Sequence, residues 1–299
     1  MINVGVVGVG MMGQHHARLY SQLDCKLVGV ADSDLKRAKE IGEKYNTNYY
    51  KNHSDLLNKV DAVSIAVPTS FHEKVAVDFL RKGIHCLVEK PIASTTEEAK
   101  EMIKEAEKND AKLMIGHIER FNPAVIKLKE LIEKGDLGKL IIISTRRVGP
   151  FVPRIRDVGI IVDSATHDID IARYLVGKEP VNVYAKYGKV KHEKGDHAII
   201  VLDFGDVTAS VEVNWFTPHV VRTLVATGTT GIAYLDYLQQ TVELCNAKGK
   251  RVPKIKKEEP LKLELKHFLN CIKRDEKPFV DGREGLKVLE IALKACTKI

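Results

Sequence analysis

"VGVVGVGMMGQHHA", Val4 to Ala17, decides how this chain begins. Gly8, Gly10 and Gly13 keep a GxGxxG spacing between an apolar strand pattern and a helical one. Glycines cluster in many turns, so the spacing alone carries little. Here Asp32 closes the next strand pattern 19 residues after Gly13, and together these features describe a dinucleotide site. Gly8 permits a tight turn, Gly10 lets backbone approach a pyrophosphate, and Gly13 lets helix and strand pack closely. The helix N-terminus offers free N–H groups and the positive end of its dipole to the phosphates. Asp32 accepts hydrogen bonds from ribose hydroxyls and repels a 2′-phosphate, so the cofactor is expected to be NAD. Asp34 adds to that repulsion, and Arg37 is the one nearby feature that opposes it.

Outward from this loop, strand and helix alternate through residue 118. Apolar runs at Val4–Val9, Lys26–Ala31, Asn48–Tyr50, Ala62–Val67, Ile84–Val88 and Lys112–Gly116 are separated by helical patterns. The helices fall at His15–Leu23, Asp34–Tyr45, Phe71–Arg81 and Thr96–Asn109. Continuous apolar strands joined by helices imply a parallel sheet buried on both faces, here a Rossmann domain over residues 1–120. The character then changes. One helix covers Pro123–Lys134 and ends at the glycines of "EKGDLGK"; another lies near His167–Leu175. Strands follow at Asn182–Val190, His197–Phe204, Val207–Asn214, Arg222–Thr227, Ile232–Tyr237 and Thr241–Cys245, with hairpin turns at "DFGD" and "TGTTG". Lys262 to Thr297 returns to helical periodicity. The fold class is therefore α/β. Residues 121–299 form a substrate-binding α/β domain with a large, mostly antiparallel sheet, and the C-terminal helix has the option of packing back on the first domain.

At 299 residues the length suits about two domains with a substantial core. No apolar run approaches the roughly 18 residues that a membrane helix needs, so no membrane association is expected. "MINVGVVGVG" starts directly on a strand pattern, without the charged and cleavable parts of a signal peptide, so a cytoplasmic chain is expected. Cys25, Cys86, Cys245, Cys271 and Cys296 form no CxxC pair, which argues against zinc knuckles and redox dithiols. The net charge of +7 suits either a lysine-rich solvated surface or an acidic partner. No basic tail, finger or aromatic RNA motif accompanies it, so nucleic acid is not expected, whereas a phosphorylated small molecule is.

The strand "HCLVEKPIA", His85–Ala93, ends in Glu89, Lys90 and Pro91. The bland reading is a surface ion pair with a proline stopping the ladder. In a sheet of this type, however, the strand ends in the crevice that holds the nicotinamide, so Glu89 and Lys90 are expected to point into the active site. A lysine there is desolvated beside a positive ring, which lowers its pKa and suits it to acid–base work on a hydroxyl. "GIIVDSATHDIDIARYL" supplies a matching piece. Asp163 and His167 stand four apart, hence on one helical face if the helix starts there. His167 takes a proton and Asp163 orients it, with Asp168 and Asp170 as alternatives for the orienting role. An Asp/His cluster can also bind metal, but no third ligand is convincingly spaced, so no metal is expected. "ISTRRVGPFVPRIRD" carries Arg146, Arg147, Arg154 and Arg156 on what reads as a loop leaving a strand. Arginine forks match phosphate oxygens, although half of them could equally pair with acidic neighbours. Arg120 and Asn122 face the cleft region by position.

"GVVGVGMMGQHHARLY", "DAVSIAVPTSFHEKVA", "HCLVEKPIA" and "DSATHDID" together resemble the Gfo/Idh/MocA family of NAD(P)-dependent oxidoreductases, over nearly the whole chain. The resemblance implies Lys90 and His167 as catalytic residues, Asp163 as partner, and hydride transfer at a sugar or cyclitol carbon. It also implies cofactor contacts at Gly8, Gly10, Met11, Met12, Gly13, Asp32, Ala66, Pro68, Thr69, His72, Glu89 and Lys90. Substrate contacts are expected from Arg120, Asn122, Arg154, Arg156 and His167. A homodimer or homotetramer through the second domain's sheet is implied as well. "GHIERFNPAV" and "RRVGPF" are most similar to the branch that oxidises UDP-N-acetylglucosamine at C3, which favours a UDP-sugar substrate. A free-polyol dehydrogenase of inositol or glucose type is the neighbouring reading. A non-catalytic NAD-binding module has no use for Lys90 and His167 together.

Overall fold

The computed structural model describes residues 1–151 and 158–297. The chain divides into two compact units, residues 1–117 with 261–289, and residues 118–260 with 290 onward.

In the first unit, β1 (Asn3–Val7), β2 (Lys26–Ala31), β3 (Asn48–Tyr50), β4 (Ala62–Ile65), β5 (His85–Glu89) and β6 (Leu113–Gly116) form one sheet. Their order is β3-β2-β1-β4-β5-β6, and all pairs are parallel. The connecting helices are α1 (Gly13–Tyr20), α2 (Leu35–Lys44), α3 (His72–Leu80) and α4 (Thr96–Lys108). Every residue of β4 and β6 is buried, as a sheet covered on both faces requires. Local chemistry sets the helix starts. Asp34 accepts the Lys36 and Arg37 N–H groups at α2, and Thr95 with Glu98 makes a capping box at α4. Strand order reverses between β1 and β4, which opens a crevice beyond their carboxyl ends, where the glycine loop emerges. Residues 261–289 also cluster here: the Ile115 N–H donates to the Val280 carbonyl at 2.9 Å.

The second unit begins with α5 (Pro123–Glu133), capped by Asn122, and β7 (Leu140–Pro150). A π-helical turn at Ile161–Ala165 leads into α6 (Thr166–Val176), which Gly177 ends at φ +76°. Then come β8 (Asn182–Gly188), β9 (His197–Asp203), β10 (Thr208–Asn214), β11 (Phe216–Gly228), β12 (Gly231–Asp236), β13 (Thr241–Asn246) and β14 (Gly249–Arg251). They order as β14-β13-β12-β11-β7-β10-β9-β8, antiparallel except for β7 beside β10. α5 packs on β12 and β13, and α6 on β7 and β10, so one face is covered. Ile143, Ala209, Val211, Leu224 and Ala226 are buried on it, while Ile142, Tyr184, Ile199 and Tyr234 are exposed on the other. The last helices are α7 (Pro260–Arg274) and α8 (Gly282–Thr297).

Two expectations change. Arg146 and Arg147 are not on a loop but inside β7, which runs on through Val148 to Pro150. β11 starts at Phe216, six residues before the reading placed it, because a register irregularity between Phe216 and Val221 accommodates Pro218.

Candidate active site

The glycine loop has the shape its spacing implied. Gly8 sits at φ +81°, and a β-carbon there would lie 2.7 Å from the Ala66 carbonyl oxygen. A β-carbon on Gly13 would lie 1.7 Å from the Gly8 carbonyl oxygen. Around Gly10 a β-carbon would meet nothing within 4 Å, so this side of the turn is open for a ligand. Met12 caps α1 without a side-chain hydrogen bond and the first turn holds no acid, which leaves its dipole to an anion. Asp32 is buried; its two carboxylate oxygens accept the Val9 and Asp34 N–H groups, each at 2.9 Å. These bonds aim the carboxylate and keep lone pairs for ligand hydroxyls. Arg37 lies 3.6 Å from Asp32 and 3.5 Å from Asp34, so its charge is shared between two acids. The residues thus fit the adenosine and pyrophosphate portions of NAD. Met11 is exposed, Pro68 begins a short turn at Thr69–Phe71, and Thr69 is buried.

At the end of β5 the carboxylate of Glu89 turns inward. His16 Nε2 lies 3.0 Å from Glu89 Oε1, and His16 Nδ1 lies 3.0 Å from Ser64 Oγ, which also meets the Tyr20 hydroxyl at 2.8 Å. Burial works to raise the pKa of Glu89. The hydrogen bond and charge of His16, then the charge of Lys90, outweigh it and hold the carboxyl below its usual range. Lys90 follows, half-buried, its N–H donating to Glu89 Oε2 at 3.3 Å and its bond to Pro91 cis. His72 is buried with Nδ1 2.8 Å from the Pro91 carbonyl oxygen and Nε2 3.0 Å from that of Val67. Burial pushes its pKa down, and a neutral ring donates to one carbonyl at a time. His72 thus stands between the loop after β4 and the loop that carries Lys90, and bonds one of them at a time.

In the second unit, Asp163 lies in the π turn and His167 in the first turn of α6. The two belong to consecutive turns of different pitch, not to the single α-helix the spacing suggested. Ser164 Oγ donates to Asp163 Oδ2 at 2.8 Å. The alternatives Asp168 and Asp170 are engaged elsewhere. Arg147 Nε donates to Asp168 at 2.6 Å, and Arg120 holds Asp170 through two bonds of 2.9 and 2.7 Å. Burial raises the pKa of Asp168, and the charge and hydrogen bond of Arg147 pull it back. Arg147 also reaches Glu119 at 3.2 Å, and Asn122 Nδ2 donates to Glu119 and to the Tyr237 carbonyl, both at 3.1 Å. Arg120 and Asn122, expected to face substrate, are buried, Arg120 against Asp170 of α6 and Asn122 against Glu119 and the Tyr237 carbonyl. Arg146 pairs with Glu212 at 3.1 Å on the open face. Arg154 and Arg156 lie outside the described residues.

Motif spacing does not single out His16, Glu119, Arg222 or Glu264. Arg222 was findable, because alternation along β11 places it on the same face as the buried Leu224 and Ala226. Among the described residues no three His, Cys, Asp or Glu side chains are placed to hold a metal ion, and no helix is long and apolar enough to cross a membrane.

Residues 2–117 match the model of an oxidoreductase family with an NAD-binding Rossmann fold, and residues 125–234 match the GFO/IDH/MocA C-terminal domain. UDP-N-acetylglucosamine 3-dehydrogenase of Acidithiobacillus ferrooxidans is 32% identical over 98% of this chain and 96% of its own. Its solved structure covers 100% of this chain and 97% of its own at a TM-score of 0.92. The scyllo-inositol 2-dehydrogenase (NAD(+)) of Bacillus subtilis is 30% identical over 98% of this chain and 93% of its own. Glycine loop, strand-end Glu-Lys-Pro and second-domain sheet therefore have one explanation: the chain belongs to the Gfo/Idh/MocA oxidoreductase family and is an NAD-dependent dehydrogenase.

Proposed function

We propose that the protein oxidises the C3 hydroxyl of a UDP-N-acetylhexosamine, giving a 3-keto nucleotide sugar. The observation that carries this reading is the full-length similarity to UDP-N-acetylglucosamine 3-dehydrogenase. NAD, when bound, accepts the hydride that leaves the carbinol carbon. In this reading His167 takes the hydroxyl proton, Asp163 orients its imidazole, and Lys90 holds the reacting oxygen as its bond order to carbon rises. Glu89 and His72 fix the backbone on either side of Lys90. Asp32 selects NAD. Arg120 and Asn122 act as positioning residues beneath α6, through Asp170 and Glu119. The exposed Ile142, Tyr184, Ile199 and Tyr234 give the second unit's sheet an apolar open face, which we assign to self-association as a homodimer or homotetramer in the cytoplasm.

Inositol dehydrogenases among the relatives support a second reading, oxidation of a free cyclitol. NAD reduction measured against UDP-N-acetylglucosamine, N-acetylglucosamine and inositols separates the two. Turnover of the UDP-sugar with a kcat/KM well above that of the free compounds is expected. Turnover confined to inositols would overturn the first reading.

A further inference from the structure

The row of side chains across the covered face of the second sheet holds two arginines side by side. Arg222 on β11 stands opposite Arg147 on β7, and its carbonyl accepts the Tyr237 N–H at 3.1 Å. Opposite residues of an antiparallel pair share a face, so Arg222 lies on the side that carries α6 and the Asp163–His167 turn. Their surroundings differ. Arg147 is buried and held by Asp168 and Glu119, with the Tyr237 ring 5.2 Å away. Arg222 is exposed, and among the described residues it is the one arginine whose side chain has no hydrogen bond or ion pair. Partial burial, then the charge of Arg147, lower its pKa, while Glu119, Asp168 and Asp163 act in the opposite direction. Glu119 and Asp168 are both hydrogen-bonded to Arg147 and not to Arg222, so the fork of Arg222 keeps its five N–H donors.

We propose that Arg222 is a substrate-binding residue whose open fork takes a phosphate of the nucleotide sugar. The assignment rests on the UDP-sugar reading above and supplies that reading with a phosphate ligand close enough to Asp163 to feel its charge. A guanidinium fork matches two phosphate oxygens at once, and a free cyclitol offers it nothing comparable.

Arg222→Gln and Arg222→Lys are compared with the parent enzyme at saturating NAD. The glutamine variant is expected to raise KM for UDP-N-acetylglucosamine by roughly ten- to a hundredfold, as for a lost charge-assisted hydrogen bond, with kcat within a few-fold. The inhibition constant of UDP against the sugar should rise by the same factor, KM for NAD should stay unchanged, and the lysine variant should recover part of the loss. An unchanged KM in an enzyme that turns over the UDP-sugar overturns the proposal. So does a raised KM with unchanged inhibition by UDP, which would mean that Arg222 reads the sugar. Should the parent turn over only inositols, the UDP-sugar reading fails by itself. Calorimetry of UDP with the NAD-loaded enzyme then decides Arg222: binding lost in Arg222→Gln supports the phosphate site, and absent or equal binding overturns it.

Discussion

Replacing Glu264 by Gln should make the first unit less sensitive to alkali. Glu264 lies on α7 with no exposed surface, and among the described residues neither carboxyl oxygen has a hydrogen-bond partner. Burial, then the negative charge of Glu89, push its pKa well above the usual 4.5. Between those two values the folded protein binds one more proton than the unfolded chain. Stability is therefore complete below 4.5 and declines as pH rises towards the raised value. One proton corresponds to about 1.4 kcal/mol per pH unit. Glutamine keeps the shape and has no proton to hold, so the stability difference between variant and parent should widen in favour of the variant at that slope. The pKa of Glu89 is lowered, so its own titration falls below this window. Urea midpoints for both proteins in half-unit steps from pH 5 upward provide the assay. Any constant cost of the buried amide shifts the whole difference curve without changing its slope. Parallel curves would mean that Glu264 is ionised in the folded state, and the account of it as a buried neutral acid would fail.

Asp32→Ser should move cofactor preference toward NADP by about an order of magnitude in the ratio of dissociation constants, because Arg37 is then shared only with Asp34. Tighter binding of NADP than NAD by the unmodified protein would contradict the reading of Asp32. Lys90→Ala should leave NAD affinity intact and lower kcat by roughly 10²–10⁴; an unchanged kcat returns Lys90 to a strand-end ion pair. Asp168→Asn removes the carboxylate from a buried 2.6 Å pair and should cost roughly 3–5 kcal/mol in denaturant unfolding. A loss below about 1 kcal/mol would show that Arg147 finds its counter-charge in Glu119 alone.

The parts of this fold legible in the sequence are those where a residue answers a local constraint. Gly8 and Gly13 are required by carbonyl oxygens within 3 Å of where a β-carbon would stand, and their spacing announces it. The fully apolar strands announce a sheet covered on both sides. β7 was harder, because Gly149 and Pro150 read as a loop although the strand runs up to them. Partners in a buried polar network are not legible at all. Arg120 and Asp170 are 50 residues apart, Arg147 and Glu119 are 28 apart, and nothing local in either sequence neighbourhood names the other. A cleft-facing arginine and one that braces a helix look alike until packing separates them. That is why the two-bond pair of Arg120 with Asp170 was not foreseen.

The order of the second sheet also governs how it can assemble. β7 lies at its centre, yet neither neighbour, β10 or β11, adjoins it along the chain. Ser144 and Ser210, joined across β7 and β10, are 66 residues apart. A nascent chain thus carries β7, with the apolar run Ile141–Ile143, before either strand that will pair with its edges exists. Loops of that length close slowly, so β7 has to wait. Glu119 is already made when Arg147 emerges, and α6 follows, packing against β7 and reaching it through the Arg147–Asp168 pair, only 21 residues apart. A contact that braces the finished sheet is in this sense also an early tether on its central strand.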